Sequence, residues 1–130
     1  MEKQWWQDAL RVIQYNLQIQ DTDRMVPEEI AAKACEAGAN AVVINAGGIY
    51  AWYRSRIPFH HINEYLPAKG NLLEDLIRCC HALGIKVIGR FDFSKTDDVV
   101  YLQHPEWFVK DSEGKPDLSG SGRMGSWSLL

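Results

Sequence analysis

A chain of 130 residues, 46% of them apolar, is long enough for one domain with a core of its own. Its formal net charge of −3 gives no electrostatic reason to expect nucleic acid or anionic lipid as a partner. No apolar run approaches the roughly 20 residues that span a membrane, and the opening MEKQWWQDALR has neither the apolar stretch nor the cleavage site of a secretory signal.

Trp5 and Trp6 open the chain in a stretch that can form a short helix up to Leu10. One of them is expected to plug the base of the fold, since large aromatics mostly serve burial. Residues 11–18, RVIQYNLQ, read as the first strand, with Ile13, Tyr15 and Leu17 on one side and Val12, Gln14, Asn16 and Gln18 on the other. A polar loop through Asp21 and Asp23 follows. Pro27 suits the first position of a helix, and Glu28 and Glu29 suit the positive end of its dipole. Ile30, Ala31, Ala34 and Cys35 have helical spacing, and Gly38 is the expected stop.

Residues 40–46, NAVVINA, read as the second strand, Val42 and Ile44 pointing one way, Val43 and Asn45 the other. A long irregular segment, 47–70, then carries Tyr50, Trp52, Tyr53, Phe59, Tyr65 and the pair His60 and His61. Asn71 with Glu74 three residues on forms a capping-box-like start to the next helix. Leu73, Leu76, Ile77, Cys80 and Leu83 form its apolar stripe, and Gly84 ends it.

The strand that organises the chain is 85–92, an apolar run between helical patterns. Val87, Gly89, Phe91 and Phe93 share the side suited to packing on helices; Lys86, Ile88, Arg90 and Asp92 share the other. A loop and a short helix over about 97–103 follow, then HPEWFVKDSEGKP as an extended piece ending in a turn at 112–114. Residues 117–130 lose all periodicity and read as a flexible or foreign tail, which leaves 1–116 as the folded part.

Strand, helix, strand, helix, strand predicts right-handed crossovers and a parallel sheet. Each helix returns to the next strand through one or two residues, whereas strand-to-helix connections are long. The long connections then share the C-terminal edge of the sheet, where barrels of this class carry their sites. On the inner face that edge collects Asn16, Gln18, Asn45, Arg90 and Asp92, above Val12, Val43 and Ile88. One reading is an internal polar network, or a mere pair of Arg90 with Asp92. The other is a grip on a polyhydroxylated ligand, which needs amides, a guanidinium, a carboxylate and aromatic walls. Trp52, Tyr53, His60 and His61 of the long loop are candidates for the walls and further contacts.

Other chemistry finds little support. Gly47 and Gly48 lack dinucleotide-binding spacing, and adjacent histidines without an accompanying HxH or HExxH project poorly toward one ion. No metal or cofactor is expected. His81 reads as a solvated or packing residue, His104 as a turn residue, and Glu106 as a surface or capping one. Cys35, Cys79 and Cys80 form an odd set without metal-type spacing, read as reduced thiols of a cytoplasmic protein.

RVIQYNLQ, NAVVINAGGIYAWY, PFH, GIKVIGRFDFSK and HPEWFVKDSEGKP together resemble the N-terminal part of hypothetical glycoside hydrolases related to α-amylase and α-L-fucosidase type barrels. The resemblance runs over about 11–116, and RFDFSK and HPEWF are its distinctive parts. It implies an α/β fold, a partial (β/α)8 TIM barrel of about the first three βα units. It also implies carbohydrate as ligand, with Asn16, Arg90 and Asp92 at the sugar-facing end. A whole barrel takes about 250 residues, and hydrolysis ordinarily needs two carboxyl groups. Asp92 is the one candidate, so the catalytic pair is expected to be incomplete and the chain inactive alone. Two other readings stay open: a non-catalytic α/β module that binds carbohydrate or oligomerises, and a fragment of an isomerase- or aldolase-type barrel. An open sheet edge would favour self-association.

Overall fold

The computed structural model describes residues 3–116 and the strand pair of residues at 127–128. In chain order the elements are β1 (Val12–Gln14), α1 (Pro27–Glu36), β2 (Ala41–Gly47), β3 (Tyr50–Ala51), β4 (His61–Ile62), α2 (Leu72–Ala82), β5 (Lys86–Phe91), β6 (Lys95–Thr96), α3 (Asp98–Gln103) and β7 (Trp127–Ser128), with 3-10 turns at Trp5–Gln7, Ile19–Arg24 and Pro105–Trp107. They fall into two compact units, Met1–Asn45 with Glu64–Arg90 and Ala46–Asn63 with Phe91–Leu130.

The first unit is the predicted α/β part. Its sheet has the order β1-β2-β5, and β1 pairs parallel to β2 with Val12 opposite Ala41. Hydrogen bonds from Lys86 N to Asn40 O and from Asp92 N to Gly47 O step the same way along both chains, so β5 is parallel too. The helices start and stop where their punctuation demands. Pro27 occupies the first turn of α1, and Gly38 takes φ +78° past its end. Asn71 accepts from Glu74 N at 3.3 Å to cap α2, and Gly84 takes φ +72° beyond it.

Ala31 and Ala34 of α1, Leu76 and Cys80 of α2, and Val42, Ile44 and Ile85 form one buried cluster. Ile13, Tyr15, Leu17 and Val87 pack against it, so the side predicted to face helices does so. Burying Leu76 fully is worth about 1.5–3 kcal/mol.

Four expectations for this unit need correction. The first ladder covers only Val12–Gln14, because residues 19–24 coil into a 3-10 helix instead of a loop. Leu83 is exposed, since it caps α2 and lies past the apolar stripe. Neither Trp5 nor Trp6 is buried; their rings meet edge to face at 5.7 Å. The helix-to-strand returns run through 37–40 and 83–85, longer than expected though still short beside 15–26 and 48–71.

The second unit contains what sequence periodicity left irregular. Tyr50 and Ala51 pair parallel with His61 and Ile62, and Ala51, Trp52, Val100 and Phe108 are buried. Asp97 caps α3 by accepting from Val100 N at 3.2 Å. HPEWF begins as a 3-10 turn rather than an extended piece, because Pro105 suits a first helical turn. The turn at 112–114 is present, closed by Asp111, whose side chain accepts from Glu113 N and Lys115 N at 2.9 Å each.

Phe91 and Phe93 do not cover helices. They stack on each other at 5.5 Å and stay exposed, Phe91 as the last residue of β5 and Phe93 beyond its end. The Phe91 ring lies over Gly47, where an added Cβ would sit 2.5 Å from it. β6 pairs antiparallel with β7; otherwise the expected tail, 117–130, lies outside the described residues.

Candidate functional site

In the first unit the alternation of β1 outlasts its ladder, because Tyr15 N donates to Val43 O at 2.9 Å. Val12, Gln14, Asn16 and Gln18 therefore remain exposed, on the side away from the helices. Asn16 Oδ1 accepts from Gln14 Nε2 at 2.6 Å and from Arg90 Nη1 at 3.2 Å. Arg90 is exposed, and a guanidinium has five N–H donors in a rigid fork, more than this one contact uses.

Asn45 Nδ2 donates to the Leu17 carbonyl at 3.2 Å. Its Oδ1 is buried without a hydrogen-bond partner, an arrangement that costs free energy unless a donor reaches it. Gln18 is turned to the start of the 3-10 helix, its backbone N donating to Asp21 Oδ2 at 2.7 Å. The structure thus brings Asn16 and Arg90 together and fixes Asn45 to the adjoining loop.

In the second unit Asp92 Oδ1 accepts from Ser94 N at 3.0 Å and Ser94 Oγ at 2.5 Å. The backbone beside it is Gly48, at φ +130°, where a Cβ would lie 2.4 Å from the Asp92 carbonyl oxygen; only glycine fits. Trp52 is 6% exposed, so its ring is committed to packing. Tyr53 meets His60 edge-on at 5.9 Å and Tyr50 meets His61 at 4.9 Å.

The two histidines have different environments. His61 Nδ1 lies 3.0 Å from Asp97 Oδ2, and the acceptor carboxylate assigns the proton to that nitrogen. His60 Nδ1 lies 3.0 Å from Ser55 Oγ, while its Nε2 is buried without a partner. Burial pushes the His60 pKa below its ordinary value, which favours the neutral ring. Phe59, His60, His61, Asp97, Val99 and Val100 line a pocket of about 280 Å³.

Asp97 and Phe59 are the residues that sequence reasoning missed. TDDVV held a cap signal for Asp97, but its bond to His61 spans 36 positions. Phe59 is the one non-glycine residue at positive φ among the described residues, at +62°. Its ring touches His104 at 4.9 Å and Trp107 at 5.8 Å, both edge-on, and those two stack at 3.9 Å. His104 Nδ1 lies 3.0 Å from Glu106 Oε1. A backbone hydrogen bond, followed by this one, holds the Glu106 carboxyl below its usual range. His81 is exposed on α2. Among the described residues no group of three or more His, Cys, Asp or Glu is placed to hold a metal, and no helix is long and apolar enough to cross a membrane.

The family described as hypothetical glycosyl hydrolase 6 matches residues 27–128. No curated protein matches the sequence. Among solved structures, alpha-L-fucosidase isoenzyme 2 from Paenibacillus thiaminolyticus is similar over 92% of this chain and 19% of its own, at 16% identity and TM-score 0.63. An alpha-amylase from Lactobacillus plantarum is similar over 92% and 31%, at 19% identity and TM-score 0.58. The alpha-galactosidase TtGalA from Thermus thermophilus is similar over 92% and 24%, at 17% identity and TM-score 0.57. The chain therefore spans less than a third of each of these proteins. At such identities the likeness shows the α/β fold with its parallel strands.

Proposed function

Because the chain belongs to the hypothetical glycosyl hydrolase 6 family, we propose that it is the part of a (β/α)8 glycosidase barrel that supplies carbohydrate-binding groups. Three parallel strands, with the long connections leaving their C-terminal ends, are the arrangement in which such barrels carry their sites. The observation that carries the reading is the exposed Arg90 guanidinium held by Asn16. In the same unit the Asn45 side chain holds the Leu17 carbonyl, and its Oδ1 is buried with no protein partner. Vicinal hydroxyls of a sugar are donors and acceptors at once, and they suit a planar fork of donors.

Asn16, Gln18, Asn45 and Arg90 are the binding groups of the first unit, and Asp92, Tyr53, His60 and His61 those of the second, with Trp52 packed behind. The names of the similar structures suggest an α-glycoside as the ligand class. The three free thiols, Cys35, Cys79 and Cys80, fit a reducing compartment such as the cytoplasm.

Catalysis is a separate matter. A retaining glycosidase places two carboxyl groups about 5–5.5 Å apart and an inverting one about 6.5–9.5 Å. Asp92 has one oxygen tied to Ser94, and Asp97 is spent on a helix cap and a histidine. We assign this chain binding without a complete catalytic pair. A panel of aryl α-glycosides tests this: no turnover is expected, and turnover abolished by Asp92→Asn would overturn the assignment.

A further inference from the structure

The pocket of the second unit is lined by two chemically distinct kinds of side chain. Phe59, Val99 and Val100 are apolar, while His60, His61 and Asp97 are polar. At about 280 Å³ it lies at the small end of ligand cavities, a size for one ring and not for an extended chain. Phe59 is the informative residue. A phenylalanine at φ +62° occupies backbone that glycine adopts freely and L side chains avoid. Burial does not explain its retention, because the residue is 42% exposed. The ring is nonetheless held, edge-on, by the stacked pair of His104 and Trp107. Strain kept at an exposed aromatic marks a functional position.

We propose that this pocket is a subsite for a single hexopyranose ring, with the C–H face of the sugar on Phe59 and its hydroxyls toward His61 and Asp97. A pyranose matches both kinds of lining, since its axial C–H bonds form an apolar face and its hydroxyls a polar rim. His61 is pre-oriented for the task by the 3.0 Å contact to Asp97, itself fixed by capping α3. The inference rests on the carbohydrate reading above and adds to it a stacking residue, a polar pair and a ligand size.

The test is an NMR titration of the full chain with methyl α-D-galactopyranoside, methyl α-L-fucopyranoside and maltose, following side-chain signals of His61 and Trp107 and backbone amides of Asn16, Asn45 and Arg90. Saturable shifts at His61 and Trp107 are expected with at least one probe. Phe59→Gly should weaken that binding about three- to tenfold without lowering the thermal midpoint, because glycine relieves the positive φ. Phe59→Leu, which keeps a side chain but not the ring, should weaken it similarly. Shifts at His61 and Trp107 alone support the subsite and count against the rim of the first unit. Shifts at Asn16, Asn45 and Arg90 alone overturn the subsite and leave the proposed function standing. No saturable shift at His61 or Trp107 with any probe, or binding there that Phe59→Gly leaves unchanged, also overturns it.

Discussion

Arg90 Nη1 donates to Asn16 Oδ1 at 3.2 Å, joining a residue of β5 to one just past β1, two strands separated in the sheet by β2. The contact is solvent-exposed and adds little to stability; surface substitutions of this kind change it by about 0.5 kcal/mol or less. Under the proposed function its value is in aiming the guanidinium at a ligand. Arg90→Ala should therefore leave the urea midpoint nearly unchanged while weakening glycoside affinity about tenfold or more, the scale of one hydrogen bond to a charged group. Arg90→Lys should not restore it, since an ammonium lacks the planar fork. Equal losses of stability and affinity in Arg90→Ala would show a merely structural contact.

Asp97 caps α3 and holds His61. Asp97→Ala should cost about 1–2 kcal/mol, the usual range for a lost cap, measured by urea unfolding. Asp97→Asn should retain most of that stability, because an amide oxygen still accepts from Val100 N. It should also release the His61 tautomer, seen as a change in the imidazole nitrogen shifts.

His60 sets a pH dependence. Burial holds its pKa below the ordinary 6.5, so on acidification the unfolded chain binds the proton before the folded one does. Stability is then unaffected by this group above 6.5 and falls as pH drops from 6.5 toward the folded-state value. His60→Gln should flatten that part of the stability profile. A stability that rises on acidification through this window, and loses the rise in His60→Gln, would reverse the sign.

The inner side of the sheet leaves Val12 46% exposed, and β1 and β5 are its edges among the described residues. Exposed edges of this kind template association. Sedimentation should show concentration-dependent oligomers, and Val12→Lys should shift them toward monomer. A monomer at all concentrations would speak against an open sheet.

Much of the first unit was legible because its signals are local. Pro27 and Gly38 bracket α1, Asn71 and Gly84 bracket α2, and the run 85–92 reads as a strand, though beyond Ile85 it is part-buried or exposed rather than buried. The alternation that put Asn16 and Arg90 on one side needs no knowledge of partners. It misled at Phe91, whose ring lies over Gly47, and at Phe93, which is past the end of β5 where a two-residue period no longer holds. The second unit was opaque for another reason. The pairing of Tyr50 with His61 and the bond from His61 to Asp97 are non-local. The positive φ of Phe59 sits on a residue type that gives no turn signal.

The most direct test of the carbohydrate assignment is a titration of the intact chain with p-nitrophenyl α-D-galactopyranoside, read by NMR on both protein and glycoside. Shifts of the Asn16, Asn45 and Arg90 amides, with the glycoside left whole, are the result expected of a chain that grips sugar without a full catalytic pair. Silence at those three residues, or release of p-nitrophenol, would contradict it.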